Sequence, residues 1–472
     1  MIPLLCLVVG HTFFVSSTGN DAADGRSMGH AWRSLARVSK EPFRAGDTVT
    51  LAGGETFEGN LVLAHPVVVR SSGNPATIHA ASGPGITIKA GGIEVRGLVL
   101  KGETAGKKGG DGILLAAPAA KRSPHVRIER VDISGFNGAG ISMTGERGSL
   151  NGFDDVRIAH AKIHGNQDTG IITADGVAAD NKGFAHRGLV ITDCDVSDNL
   201  GGNGIILSGV DGATVEFTRA ANNRSPKQGL GMWAWCAKRV TFRYCIASGT
   251  RATGDGGGFD LDGGTVDCVV DHCLSFDNDG CGYMHCDFPS APRTQRNVMR
   301  DSISLNDGRL SKGDASGFGF VVWGSGLYDC RIERNLVIAT VDGSKESGNG
   351  LLFATFIRDD KEPLAAQRLE GALFLNNQVV LNGKGPALVQ DNFPPDVKRE
   401  VTYQGNLYKS SATPVFVMGP KGEKRIESVE VWRTATGDKP GPVVAKTIPT
   451  MEEVSKLSPR DLPAFFKRLG RG

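Results

Sequence analysis

Residues 231–235, 258–262 and 282–286 read GMWAW, GFDLD and GYMHC. Each is a glycine followed by residues that alternate in character, and the same frame recurs along the chain. It appears as GITI from Gly85, GILL from Gly112, GISM from Gly140, GIIT from Gly170, GIIL from Gly204, GFVVW from Gly319 and GLLFA from Gly350. A frame that returns about every 30 residues marks a solenoid, in which each repeat contacts only its neighbours. Strand side chains alternate in direction. The residue after each glycine therefore points inward and the next points out. A second apolar run follows each frame, such as VRIERVDIS, VRIAHAKIH, LVITDCDVS, VTFRYCIAS, CVVDHCLSF and CRIERNLVI. Val, Ile and Phe fill the inward places, and Asn, Asp and Gly fill the turns between runs.

Aligning the second runs puts Val131, Ala161, Cys194, Cys245, Cys273, Ser302, Asn335 and Asn377 in one column. Small and amide residues recurring at one corner suit a stack of side chains, coil upon coil. Such a column needs parallel strands about 4.8 Å apart. The fold class that follows is all-β: a right-handed parallel β-helix of about ten or eleven coils with short helical caps. The cysteines of the column are then small buried residues. The ends of the rod need covering. A short amphipathic helix near 31–39, with Trp32, Leu35 and Val38 on one side, caps the first coil. The charged stretch 418–472, with a helix start at Ser458-Pro459, caps the last. The solenoid itself takes 12–417. Residues 1–11 read either as a truncated secretion signal or as a first strand, and the expected location is secreted or periplasmic.

Composition narrows the function. The chain has 472 residues, 65 of them glycine, and a net charge of +2 from 53 basic and 51 acidic residues. That balance gives no footprint for nucleic acid, and no apolar stretch is long enough for a membrane span. Nine cysteines without a CxxC pair exclude the common zinc-binding patterns. The expected partner is a polysaccharide or oligosaccharide. Three of the five tryptophans, Trp233, Trp235 and Trp323, fall at outward places on neighbouring coils, as flat platforms on which sugar rings stack. Between them lie Asp260 and Asp262, both mid-strand, where turn chemistry does not account for an aspartate. Their α-carbons are about 6.5 to 7 Å apart, which leaves open either carboxyl separation used by glycosidases. Asp255 and Asp279 each lie four residues before an inward aromatic. That predicts one place on consecutive coils and two carboxylates that share a proton or hold a cation. Asp277 and Asp287 crowd the same coils. His285 points inward by alternation and is a further candidate base. Arg300 sits outward on a second run, where it can meet a uronate carboxylate, and Lys312 precedes the Trp323 strand.

Two stretches carry a resemblance. TFFVSSTGNDAADG with AWRSLARV and RAGDTVTLAGG at the start, and VEVWRTATGD near the end, look like the opening and closing of secreted bacterial pectate-lyase-like β-helix proteins. GDGGGFDLDGGTVDCVVDHCLSFDNDGCGY, residues 254–283, is similar to the paired coils of the family-nine pectate lyases. That resemblance implies calcium held by Asp255, Asp277 and Asp279, and proton abstraction by a lysine on the next coil. This chain has Val321 in the lysine's place, so elimination needs Lys312, His285 or an arginine instead. The expectation from the residues is hydrolysis by the Asp260–Asp262 pair, with Asp279 and Asp255 next in line and no cofactor required. The alternatives are a calcium-dependent uronate lyase and a non-catalytic glycan-binding surface protein.

Overall fold

The computed structural model describes residues 10–471 apart from 104–109, 146–150, 175–182, 288–290, 310–318, 325, 341–352, 357–367, 385–386, 392–397, 420–423 and 444. Three long sheets of 14, 16 and 13 strands form the walls of a parallel β-helix. The glycine-led frames build the first wall, in which Ile113 pairs with Ile141, Ile141 with Ile171 and Ile171 with Ile205. Each second run supplies the other two walls. It bends between them at one residue in the left-handed region, such as His160, Asp193, Tyr244, His272, Asp301, Arg334 or Asn376. Positive φ is uncommon outside glycine and mildly favoured by Asn, Asp and His, so this corner is only faintly written in the sequence.

Inward Val, Ile, Leu and Phe from all three walls make one continuous core. Inner corners are closed by hydrogen-bonded ladders. The column seen in the sequence is one of them: the Cys273 amide donates to Ser302 Oγ, the Ser302 amide to Asn335 Oδ1 and the Asn335 amide to Asn377 Oδ1. A second ladder joins Asn166, Asn199 and Asn223, and on later coils Asn278 and Asp307. The backbone and side-chain amides of Asn166, Asn199, Asn278, Asn335 and Asn377 each find an acceptor on the coil beyond, as burial requires.

At the amino end the helix Leu35–Ser39 is capped by Ser34, whose hydroxyl accepts from the Arg37 amide, and Trp32, Leu35 and Val38 are buried against the first coils. At the other end the helix Val429–Thr436 lays Trp432 flat on Phe416, 4.9 Å between ring centres. The chain then runs back along the outside. Val454, Leu462, Phe465, Phe466 and Leu469 cover Ile246, Leu274, Ile303 and Leu336 on the third wall. Arg460 anchors this strap, with its guanidinium 2.5 and 2.6 Å from Asp193 and lying over the Phe217 ring.

Candidate active site

Four neighbouring strands of the first wall, Met232–Trp235, Phe259–Leu261, Tyr283–Asp287 and Phe320–Gly324, carry the chemistry. Met232, Phe259, Tyr283 and Phe320 are opposite one another and point in. Their rings stack, Phe259 on Tyr283 at 5.2 Å and Tyr283 on Phe320 at 4.4 Å, which fixes the frame. Trp233, Asp260, Met284 and Val321 form the next row, on the outer face. The Asp262 amide donates to the Ala234 carbonyl at 2.9 Å, so the frame continues and Asp262 is level with Trp235. Trp233 and Trp235 are half-buried, and the Trp233 indole N–H donates to Asn203 Oδ1 at 3.0 Å.

Asp260 faces outward yet is only 1% exposed, and among the described residues neither of its carboxyl oxygens has a hydrogen-bond partner. Burial, then the charges of Asp262 and Asp255, push its pKa well above the ordinary carboxylate range. Asp255 ends the strand Arg251–Asp255 and is half-buried. Burial and then Asp262 push it up to about 6. Asp262 is also raised by burial, but the Gly263 amide, 2.6 Å away, and the Cys286 thiol donate to it and hold it down. Donors favour the ionised form. Of the two, Asp262 is the one whose ionised form the neighbours support, and Asp260 the one whose neutral form they favour.

Asp279 does not join them. The turns before Phe259 and Tyr283 stay in step, with the Gly280 amide donating to the Gly256 carbonyl at 2.9 Å, but Asp279 is not among the groups that shift Asp255, Asp260 or Asp262. The charges that bear most on Asp279 are Arg251, Arg309 and Asp277. The three expected calcium ligands are likewise apart. Asp277 receives Arg251 at 2.6 Å on one oxygen and Arg309 at 2.7 Å on the other, while Asp255 belongs to the Asp260 group. A cation at Asp277 would have to displace both guanidinium groups, and this donor set does not fit calcium. Among the described residues, one trio has its ligand atoms within 4.8 Å of one another, Asp271, His272 and Asp301. It lies where the second and third walls meet, and Arg243 and Arg300 crowd its Asp271.

His285 points inward between Leu261 and Val322, wholly buried, with no partner on either ring nitrogen among the described residues. Burial alone lowers its pKa to about 3. It is a wall of the core, away from the carboxylates. Arg300 is on the second wall, its guanidinium Nε 3.2 Å from Asp271, and so is not part of the outer face that holds Asp260. Backbone pairing sets Trp323 opposite Cys286. Lys312 lies outside the described residues. Asp287 is beside the group, with one oxygen accepting from Thr294 Oγ1 at 2.7 Å. The part of the site that sequence reasoning missed is the Cys286 donor to Asp262 on the next coil.

Residues 175–354 match the model of a right handed beta helix region. The chain is similar in structure to a GH136 lacto-N-biosidase from Eubacterium ramulus, with TM-score 0.58 and 18% identity over 77% of this chain and 68% of that one. The fold is a right-handed parallel β-helix. The catalytic domain of a GH87 alpha-1,3-glucanase, solved with tetrasaccharides, follows with TM-score 0.50 and 12% identity over 82% of this chain and 68% of that one. Pectate lyase Pel9A covers 84% of this chain and 80% of its own at 13% identity, with TM-score 0.33. No curated protein matches the sequence. At such identities the likeness speaks to fold, and the chemistry rests on the site.

Proposed function

We propose that this protein is an exported glycoside hydrolase that cuts a polysaccharide or oligosaccharide lying on the outer face of the coils between Met232 and Asp287. The observation that carries this is the Asp260 carboxyl, buried on the outer face with no partner among the described residues, beside an Asp262 that has two donors. A buried polar group without a partner costs stability. Displaced acids of this kind are what acid–base chemistry needs. Asp260, protonated, gives its proton to the glycosidic oxygen as the bond to the leaving sugar breaks. Asp262, ionised, takes a proton from the attacking water or attacks the anomeric carbon itself. Asp255 keeps a second negative charge near Asp260 above pH of about 6 and so helps keep that acid protonated. Trp233 and Trp235 supply apolar platforms one coil away. The half-exposed Asp255 and Asp262 are the members a substrate meets first. The likeness in fold to a lacto-N-biosidase and an alpha-1,3-glucanase is in keeping with a glycan substrate.

Product analysis by mass spectrometry on neutral, uronic and sulfated glycans tests the proposal. Products one water heavier than the broken chain are expected, with calcium or with chelator alike. Asp260→Asn and Asp262→Asn are each expected to lose turnover by about a hundredfold or more, while Asp279→Asn keeps it. Unsaturated products made only with calcium would replace hydrolysis by elimination. Saturable binding without cleavage anywhere on the panel would leave a glycan-binding protein.

A further inference from the structure

On the shoulder of the same face, the turns before four successive first-wall strands leave a cavity of about 430 Å³. Leu200, Arg224, Ser225, Pro226, Ala252 and Asp279 wall it. It adjoins the carboxylate group through glycine. The Asp279 Cβ is 3.1 Å from where a Cβ on Gly256, the residue after Asp255, would stand. Gly256 has φ +67° as well, so a side chain there is strained and would press on the cavity wall.

The walls are well fixed. The Leu200 amide donates to the Asn166 carbonyl at 2.8 Å, and Thr253 Oγ1 donates to the Pro226 carbonyl at 2.6 Å. Their character is mixed in a particular way. Leu200, Pro226 and Ala252 give a small apolar surface, and Leu200 is a large hydrophobic residue left 39% exposed. At the rim, Ser225 Oγ accepts from the Lys227 amide, which leaves its own hydrogen free to donate. The Arg224 guanidinium has one carboxylate near it, Asp198 at 4.0 Å, and keeps N–H groups to spare. Arg251 is held by Asp277. The cavity thus offers hydrocarbon beside N–H and O–H donors. An acyl group has the matching parts, a methyl for the wall and a carbonyl oxygen for the donors. A bare sugar edge would set hydroxyls against Leu200 and Pro226. A carboxylate would gain Arg224, meet Asp279 and leave the apolar wall unused.

We infer that this cavity is a subsite for an acyl substituent, the N-acetyl or O-acetyl group of a sugar held beside the bond to be cut. The inference rests on the outer face being the glycan-binding face. The test is calorimetric binding to the Asp260→Asn protein, so that cleavage does not interfere. Probes are acetylated xylan and glucomannan oligosaccharides, each with its alkali-deacetylated twin, and chitohexaose to separate amide from ester. The acetylated member of a pair is expected to bind about tenfold tighter than its twin. Leu200→Ser, at an exposed turn, is expected to bring the twins to the same Kd with an unchanged melting temperature. No difference within any pair, no binding of any acetylated probe, or a preference that survives Leu200→Ser would overturn the inference. So would tighter binding of oligogalacturonate that is lost in Arg224→Gln, which would make the occupant an anion. Turnover without acyl preference defeats this subsite alone. Acyl preference without turnover by the parent protein defeats the hydrolase alone.

Discussion

Two aspartates two coils apart, Asp260 on the outer face and Asp307 in an inner corner, are buried to a similar degree and differ in almost everything else. Asp307 is 5% exposed and ends an asparagine ladder. It accepts from the Asn278 amide at 3.1 Å, the Asn278 side chain at 2.8 Å and Ser304 Oγ at 2.7 Å. Burial pushes it up to about 7 against the pull of these donors. Asp260, 1% exposed, has no donor among the described residues and is pushed well above the ordinary range. Burial alone therefore does not tell a structural acid from a functional one. The donors do, because a folded chain that gains nothing from a buried group has no structural use for it.

That contrast is broken most directly by removing each carboxyl in turn. Asp260→Leu is expected to abolish turnover, by about a thousandfold or more, and yet to raise the melting temperature. It removes a polar group that has no partner among the described residues, a gain expected to outweigh the fitting of the larger leucine side chain. Asp307→Leu is expected to do the opposite. It leaves the Asn278 backbone N–H and the Ser304 hydroxyl buried without acceptors, at about 1 to 3 kcal/mol for each such group, and turnover per folded molecule is retained. A thermal melt and an initial-rate assay on the two variants decide it. Loss of stability in both would make Asp260 another structural acid.

Asp307→Asn sharpens the comparison through pH. The folded pKa is raised from 3.8 to about 7, so the folded state holds a proton that the unfolded chain releases. Its contribution is complete below about pH 4 and is lost as pH rises through 7. The asparagine variant extends the ladder of Asn166, Asn199, Asn223 and Asn278 and has no proton to lose. Denaturant titrations are expected to match the parent at pH 4 and to exceed it at pH 8, with a ceiling of about 4 kcal/mol. Equal stability at both pH values would mean that Asp307 is ionised in the fold at little cost.

The same two places show what the sequence could and could not tell. Alternation after each glycine gave Asp260 and Asp262 their outward direction, because a strand in a fixed frame has only two faces. In the GLLFA frame the backbone pairs Phe320 with Phe353, two residues on from the place the glycine count gives. Counting back from the frame brought the Asp255 and Asp279 turns level, with Gly256 against Gly280, but it could not show that the Asp279 carboxyl keeps company with Arg251, Arg309 and Asp277. The bend of each second run depended on single left-handed residues such as His272 and Asp301. The strap had left a readable trace. Ile246, Leu274, Ile303 and Leu336 are apolar at outward places where earlier coils carry Lys162, Asp195 and Arg219. Outward apolar residues in a row mean that something covers them. No pattern could announce the donors to Asp262, since the Gly263 amide is backbone and Cys286 lies on another coil.

His285 gives the smallest effect and tests the boundary between core and chemistry. Both ring nitrogens are buried with no partner among the described residues, and burial lowers its pKa to about 3. The folded state therefore keeps the ring neutral, while the unfolded chain takes up a proton below its ordinary 6.5. Stability tied to this group is complete above 6.5 and declines as pH falls toward 3. His285→Leu, matching Leu261 and Val322 on either side, removes an orphaned polar group and a proton-linked loss together. It is expected to add about 1 to 3 kcal/mol at pH 7 and more at pH 5, with kcat/KM and its pH profile unchanged. If the basic or acidic limb of that profile moved instead, the ring would be exchanging protons with substrate. The inner wall at this coil would then belong to the active site.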